Sequence, residues 1–231
     1  MNLSAPVRLL HQRVPLSSII SRVIQGGAAF SYQLHKYPAS LPVRDVIRRA
    51  LDLGIGTFDT SPYYDPSEIL LGEAFSHPDI ANKYTREDYI LMTKVGRIAA
   101  SHSDYPPDWI RHSVRRPPKR SKTPCPNVVF CHDIEYVIDK DAATAMGVLW
   151  EFAATGQIRN AGISGYPIDK LVRVCTLGQE RFGRPPDAVQ NWAQLTLQNI
   201  GLKRESLAAL QDVSVDCICS SSPLAIRLLR S

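Results

Sequence analysis

The chain has 231 residues, of which 44% are hydrophobic and 21% charged, with a formal net charge of +5. This balance predicts a soluble globular chain with a large core, and no apolar run approaches the ~18 residues that a membrane span needs. Its basic residues are scattered, and the densest run, 111–122, contains prolines but no interleaved aromatics. We therefore expect neither a nucleic-acid partner nor a membrane partner.

Residues 1–21 are predicted to form a leader, and no acidic residue precedes Asp45. We expect a cytoplasmic protein, with mitochondrial targeting as the alternative that this composition leaves open. Apolar runs then predict strands near 22–25, 56–60, 89–93, 127–131, 160–164, 187–191 and 215–220. Amphipathic stretches predict helices near 43–53, 67–76, 108–116, 140–156, 168–182 and 203–212. The alternation is typical of a parallel sheet in one domain, residues 1–231, arranged as an open doubly wound sheet or a closed barrel.

Several helix details follow from the spacing. The first helix carries a core-facing stripe formed by Val43, Ile47, Ala50 and Leu51. Ser67 is the expected N-cap of the second helix. Gly54 and Gly156 are expected just past helix ends, where a left-handed residue favours glycine.

The last predicted strand contains Cys217 and Cys219, two of five cysteines in a chain without a CxxC pair. We expect reduced thiols, with these two side chains on opposite faces of the strand and no bound metal. Residues 224–231 resemble the start of a following helix. Seven strands are therefore predicted, and an eight-stranded barrel would lack its last strand and helix.

Four polar residues come at or near the ends of predicted strands: Asp59, Tyr64, Lys94 and His132. Parallel barrels build active sites from the carboxyl ends of several strands. A phenol has a pKa of ~10, and a neighbouring ammonium lowers it by stabilising the phenolate. Tyr64 would then act as general acid or base, with Lys94 held by Asp59 and His132 orienting a substrate oxygen.

Each of these residues also has a structural explanation. Asp59 would cap a turn, Tyr64 would pack its ring, Lys94 would extend to solvent, and His132 would bond a backbone carbonyl. The joint placement at successive strand ends favours the catalytic interpretation. With a nicotinamide cofactor, the set fits removal of an alcohol proton coupled to hydride transfer.

The same residues resemble the catalytic tetrad of the aldo-keto reductases, and the surrounding sequence is similar to the branch of D-arabinose and L-galactose 1-dehydrogenases. The matching stretches are GGAAFSYQ (26–33), DTSPYYDPSEILLGEAF (59–75), TKVGRI (93–98), PDWIRHSVRR (107–116), FCHDIEYV (130–137), GQIRNAGISGYP (156–167), LTLQN (195–199) and SSPLAI (221–226). The resemblance implies a TIM (β/α)8-type barrel, incomplete at its end, that binds NAD or NADP across its mouth. Its implied substrate is a small molecule, an aldose or aldehyde, and no oligomer is predicted.

The resemblance also implies cofactor contacts. Ser164 matches a serine that binds the nicotinamide carboxamide, although Gly165 stands where the family has asparagine. Trp192 matches the aromatic residue that stacks on the nicotinamide ring, and Gln190 is a second candidate beside it. Ser222 and Leu224 match a loop that binds the diphosphate.

The implied activity is oxidation of an aldose at C1 to a lactone, or carbonyl reduction in reverse. Two alternatives stay open. One is a truncated, catalytically silent relative that acts as a binding or regulatory module. The other is a carbonyl reductase for non-sugar aldehydes.

Overall fold

The structure is a computed structural model that describes residues 14–99, 102–115, 120–123 and 125–225. Its strands are β1 (Gln25–Gly26), β2 (Thr57–Asp59), β3 (Ile90–Val95), β4 (Arg97–Ala99), β5 (His102–Ser103), β6 (Val128–Cys131), β7 (Asn160–Gly165), β8 (Ala188–Trp192) and β9 (Cys217–Ser221). Its α-helices are α1 (Leu16–Ile19), α2 (Val43–Asp52), α3 (Ser67–Ser76), α4 (Pro78–Ala81), α5 (Pro107–Val114), α6 (Asp139–Ala154), α7 (Ile168–Phe182) and α8 (Leu207–Asp212). Short 3₁₀ turns span Ala28–Phe30, Pro38–Ser40, Pro62–Tyr64, Arg86–Asp88 and Ile134–Tyr136, and a π turn, Leu202–Ser206, precedes α8.

The main sheet contains seven parallel strands in the order β1-β2-β3-β6-β7-β8-β9. Every residue of β3 and β6 is buried, as expected for parallel strands that are covered on both faces. Within the described ranges β9 does not pair with β1. The predicted fold, an incomplete TIM-type barrel of seven βα units, is confirmed.

The core is divided between the inside of the barrel and the layer under the helices. Met92 of β3 packs inside with Leu16, Phe130 and Ala188, whereas its neighbour Leu91 packs among residues of α2 and α3. This alternation is the period of two that a strand imposes on its side chains. It assigns every second residue of each strand to the barrel interior.

Gly162 of β7 is needed by this interior packing. A Cβ there would lie 2.5 Å from Phe130 Cδ1 and 2.7 Å from the Ala188 carbonyl oxygen. Both neighbours are held by the sheet, so any side chain at 162 would force strands apart. The glycine lets the Phe130 ring fill the barrel.

The predicted helices agree with the structure at most boundaries. The predicted stripe of α2 is buried, and Gly54 and Gly156 adopt left-handed conformations with φ of 78° and 75°. Helix α5 ends two residues before the predicted boundary at Arg116, which lies outside the described residues. The prediction that Ser67 is an N-cap is wrong: the helix already includes Ser67, and its hydroxyl lies 2.9 Å from Thr60 Oγ1.

The predicted orientation of the two strand cysteines is also wrong. Residues i and i+2 of a strand share a face, so Cys217 and Cys219 both point into the barrel, with their sulfurs 3.6 Å apart. All five cysteines, these two included, are free thiols that form no disulfide. No cluster of three potential metal ligands occurs among the described residues.

The end of the predicted leader packs against the barrel. Leu16 of α1 is buried inside the barrel, and the Ser17 hydroxyl donates to Asp216 Oδ1 at 2.5 Å. The Ser21 amide donates to Thr57 Oγ1 at 2.9 Å. Residues 14–21 thus connect Asp216, which precedes β9 at one edge of the sheet, to Thr57 of β2 near the other edge. None of the helices described here combines the length and apolarity needed to traverse a bilayer.

Candidate active site

The interior positions at the carboxyl ends of the strands hold the predicted catalytic residues. Asp59 ends β2, Lys94 lies next to last in β3, and His132 follows β6 directly. Tyr64 comes from the 3₁₀ turn Pro62–Tyr64 above β2. The rim continues along β7 and β8, where Ser164 and Gln190 are paired positions of the two parallel strands.

Lys94 and Asp59 form a buried ion pair. Lys94 Nζ donates to both carboxylate oxygens at 2.7 Å and to the Thr60 carbonyl at 3.0 Å, and Lys94 is only 2% exposed. Burial opposes the charged ammonium, but attraction by Asp59 and then Tyr64 outweighs it, so the pKa of Lys94 is raised. A buried charge with three such partners has a fixed position.

Tyr64 lies between the ammonium and the imidazole. Its hydroxyl is 3.5 Å from His132 Nε2, and Lys94 Nζ is 4.9 Å from its ring centre. Burial raises the pKa of Tyr64 by more than Lys94 lowers it. The sequence-based expectation of a lowered pKa is therefore wrong for the protein alone, because it considered the ammonium without the burial. At neutral pH Tyr64 holds its proton and can donate it.

His132 is a neutral imidazole in this site. Burial, followed by the nearby charges of Lys94 and Arg97, lowers the pKa of His132 well below 6.5. Its Nδ1 lies 3.1 Å from Ser61 Oγ, and its backbone carbonyl accepts a 2.5 Å hydrogen bond from the Tyr105 hydroxyl. These contacts hold the ring and its backbone at the rim.

The lowered pKa of His132 predicts a loss of stability in acid. His132 takes up a proton near pH 6.5 in the unfolded chain but not in the folded chain. The stability that the neutral, buried imidazole contributes is therefore fully present above pH 6.5 and is lost as the pH falls towards the folded pKa. The expected decline is about 1.4 kcal/mol per pH unit below ~6.5. Urea unfolding at pH 7, 6 and 5 should show a steeper decline for the native chain than for His132→Gln. The exposed His112→Gln variant should keep the native slope, and equal slopes for the native chain and His132→Gln would contradict the prediction.

Sequence reasoning missed four residues here: Asp133 and Tyr63, which contact His132, and Arg97 with Tyr136, which extend this cluster. Arg97 forms an ion pair with Asp133, and its guanidinium carbon lies 4.4 Å from the ring centre of Tyr63 and 4.8 Å from that of Tyr136. Arg97 begins the β4–β5 hairpin, which the strand pattern did not predict. The ion pair of Arg97 and Asp133 next to the histidine could not be predicted from the sequence, because the two residues meet only when β3 pairs with β6.

The residues predicted to bind a cofactor lie along the other side of the rim. Gln190 is buried, and its Oε1 has no hydrogen-bond partner among the described residues. Trp192 ends β8 and is 40% exposed, with its ring 5.2 Å from that of Tyr166. Ser164 Oγ lies 3.4 Å from both the Asp133 amide and the Cys131 carbonyl.

Ser222 and Leu224 lie in the turn after β9. Ser222 has a φ of 53°, its carbonyl accepts from the Ala225 amide at 2.9 Å, and Leu224 is 40% exposed. The predicted helix from residue 224 onwards falls mostly outside the described residues.

Gly165 creates a space that a side chain from the neighbouring rim segment occupies. A Cβ at this position would lie 2.6 Å from Glu135 Oε2, and Glu135 Oε1 accepts from the Tyr166 amide at 3.1 Å. The partly buried carboxyl group of Glu135 thus occupies the space where the family, by the resemblance above, has an asparagine side chain.

These features define a class: parallel β/α barrels whose carboxyl-end rim brings a partly buried tyrosine next to a histidine and a buried lysine–aspartate pair. Within that class the chain belongs to the Aldo/keto reductase family, whose sequence model matches residues 22–231.

Two curated relatives show the same relationship. The chain is 38% identical over 215 residues to D-arabinose 1-dehydrogenase of Saccharomyces cerevisiae, covering 92% of this chain and 63% of the relative. It is 32% identical over 189 residues to L-galactose dehydrogenase of Arabidopsis thaliana, covering 79% of this chain and 55% of the relative. The chain therefore spans less than two thirds of the length of either protein.

Solved structures support the fold. A structure from Pseudomonas aeruginosa assigned to the aldo-keto reductases has a TM-score of 0.67 at 22% identity, with 90% of this chain and 77% of that chain covered. An aldo-keto reductase of the silkworm, Bombyx mori, has a TM-score of 0.69 at 19% identity, with 90% and 62% covered. At these identities the similarity shows the barrel and no more.

Proposed function

We propose that this chain carries the active site of an NAD(P)-dependent oxidoreductase that oxidises an aldose at C1 to a lactone. The observation that carries the proposal is the contact of Tyr64 with His132 beside the buried Lys94–Asp59 pair. The names of the two curated relatives, both sugar dehydrogenases, support the substrate class. Both relatives are longer than this chain, so activity of the chain is part of the proposal.

The residues have complementary roles in this reaction. A nicotinamide dinucleotide, when bound at this rim, would supply the acceptor for the hydride of C1. Tyr64 takes the proton of the C1 hydroxyl in oxidation and returns it to the carbonyl oxygen in reduction. His132, neutral and 3.5 Å from the phenol, orients that oxygen. Lys94, fixed by Asp59, stabilises the phenolate that oxidation requires.

Ser164, Gln190, Trp192, Ser222 and Leu224 are the proposed cofactor contacts. The unpartnered Oε1 of Gln190 is an acceptor suited to a carboxamide N–H, and Ser164 lies opposite it across the ladder. The half-exposed Trp192 ring offers a face for stacking. The residues therefore fit a nicotinamide dinucleotide, and the choice between NAD and NADP is left to the titration below.

The test is a fluorescence titration followed by a substrate panel. Saturable quenching by NADH or NADPH at micromolar concentrations is expected, together with cofactor reduction on D-arabinose or L-galactose. If no binding occurs below millimolar cofactor, the silent binding module replaces this proposal. If aromatic aldehydes are reduced while neither sugar is oxidised, the carbonyl reductase replaces it.

A further inference from the structure

The two ring nitrogens of His132 face different chemical groups. Nδ1 is 3.1 Å from the Ser61 hydroxyl, and both residues are buried. Ser61 Oγ also accepts a hydrogen bond from the Tyr63 amide at 3.1 Å. A hydroxyl has one proton to donate. The hydrogen bond from the Tyr63 amide uses only a lone pair of Ser61 Oγ, so the hydroxyl proton remains available for Nδ1.

The opposite nitrogen faces a carboxylate. Nε2 lies 3.5 Å from Asp133 Oδ2 and 3.5 Å from the Tyr64 hydroxyl. Asp133 pairs with Arg97, and an ionised carboxylate only accepts hydrogen bonds. A bare Nε2 would place its lone pair towards that charge, whereas Nε2–H is attracted to it.

We propose that Ser61, together with Asp133, fixes His132 in the tautomer that carries its proton on Nε2, which makes Ser61 a positioning residue of the site. The Ser61 hydroxyl donates to Nδ1, and Nε2–H then points to the side of the ring where the Tyr64 hydroxyl lies. The consequence for catalysis, though not the tautomer itself, rests on the proposed function.

The tautomer determines whether His132 helps or hinders a substrate. A carbonyl or hydroxyl oxygen that receives a proton from Tyr64 can also accept a hydrogen bond from Nε2–H. With the proton on Nδ1, the Nε2 lone pair would repel that oxygen. Loss of the Ser61 hydroxyl removes the donor that favours the productive tautomer.

Nitrogen NMR of protein labelled with ¹⁵N-histidine tests the tautomer without any reaction. The chain has six histidines, and the signal that disappears in His132→Gln assigns His132. In the native chain we expect a protonated Nε2 and an unprotonated Nδ1. Ser61→Ala should show a mixture with Nδ1–H, and Ser61→Thr should restore the native pattern because it keeps the hydroxyl.

Kinetics then test the consequence. Ser61→Ala should lower kcat about tenfold, less than the roughly 10²–10⁴-fold that a positioned proton-transfer group itself contributes, with little change in the dissociation constant for NAD(P)H. Ser206→Ala, which removes a buried hydroxyl bonded to the Leu202 carbonyl, should keep native kcat. A native Nδ1–H tautomer, or an unchanged tautomer in Ser61→Ala, overturns the inference. An inactive native chain with the expected NMR pattern overturns the proposed function and leaves the tautomer assignment standing.

Discussion

Replacing Tyr64 with phenylalanine is expected to lower kcat for sugar oxidation by at least about 100-fold, since a positioned proton-transfer group contributes roughly 10²–10⁴. The change removes one oxygen and keeps the ring that packs 5.6 Å from His132. Binding of NAD(P)H should therefore stay near its native value. Initial rates with D-arabinose or L-galactose, together with a fluorescence titration of NAD(P)H, measure the two quantities separately.

Tyr84→Phe is the matched control. It also removes a hydrogen-bonded phenol, in this case one that donates to Asp52 at 2.6 Å on the outer surface, and it should retain native kcat. If Tyr64→Phe keeps more than about a tenth of the native rate, the loss is smaller than a general acid or base supplies, and another group must carry the proton.

The raised pKa of Tyr64 gives the two reaction directions opposite pH profiles. Reduction needs the protonated phenol, which prevails at neutral pH and is lost only in alkaline solution. Oxidation needs the phenolate, so its rate should rise with pH above neutrality. A bound, positively charged nicotinamide would shift the oxidation profile towards lower pH, because a nearby cation stabilises the phenolate.

The sequence predicted well where Asp59, Lys94 and His132 lie, because their positions follow from a repeating rule. Side chains alternate along a strand, and interior positions recur at the same level of neighbouring parallel strands. Asp59, Lys94 and His132 therefore met at one rim, as the strand-end pattern indicated. The same rule, applied correctly, would have placed Cys217 and Cys219 on one face.

Properties that depend on burial or on distant partners were not predictable in this way. The pKa of Tyr64 is set by its burial as well as by Lys94, and burial is known only after packing. Ser61 lies in the matching stretch 59–75, but its contact with His132 joins residues 71 positions apart. The β4–β5 hairpin is short and polar, so it lacks the apolar alternation by which strands are predicted.

Substituting Asp59 with asparagine should destabilise the protein by roughly 3–5 kcal/mol, as is typical when one partner of a buried ion pair is removed. Lys94 stays 2% exposed, and its ammonium would keep only neutral hydrogen-bond acceptors. The double variant Asp59→Asn/Lys94→Met removes the charge as well and should recover much of the loss. Urea unfolding monitored by circular dichroism provides the free energies.

The pH dependence of this loss identifies its cause. In Asp59→Asn the main source of the raised Lys94 pKa is gone, and burial then lowers that pKa below its ordinary value. A cation with a lowered folded pKa costs most stability at low pH, and the deficit should shrink as the pH rises through that pKa. The surface pair of Lys83 and Asp52, with Nζ 2.6 Å from Oδ1, is the control: Asp52→Asn should cause a much smaller loss, because solvent screens exposed pairs. A deficit in Asp59→Asn that is independent of pH would indicate lost packing rather than a stranded charge.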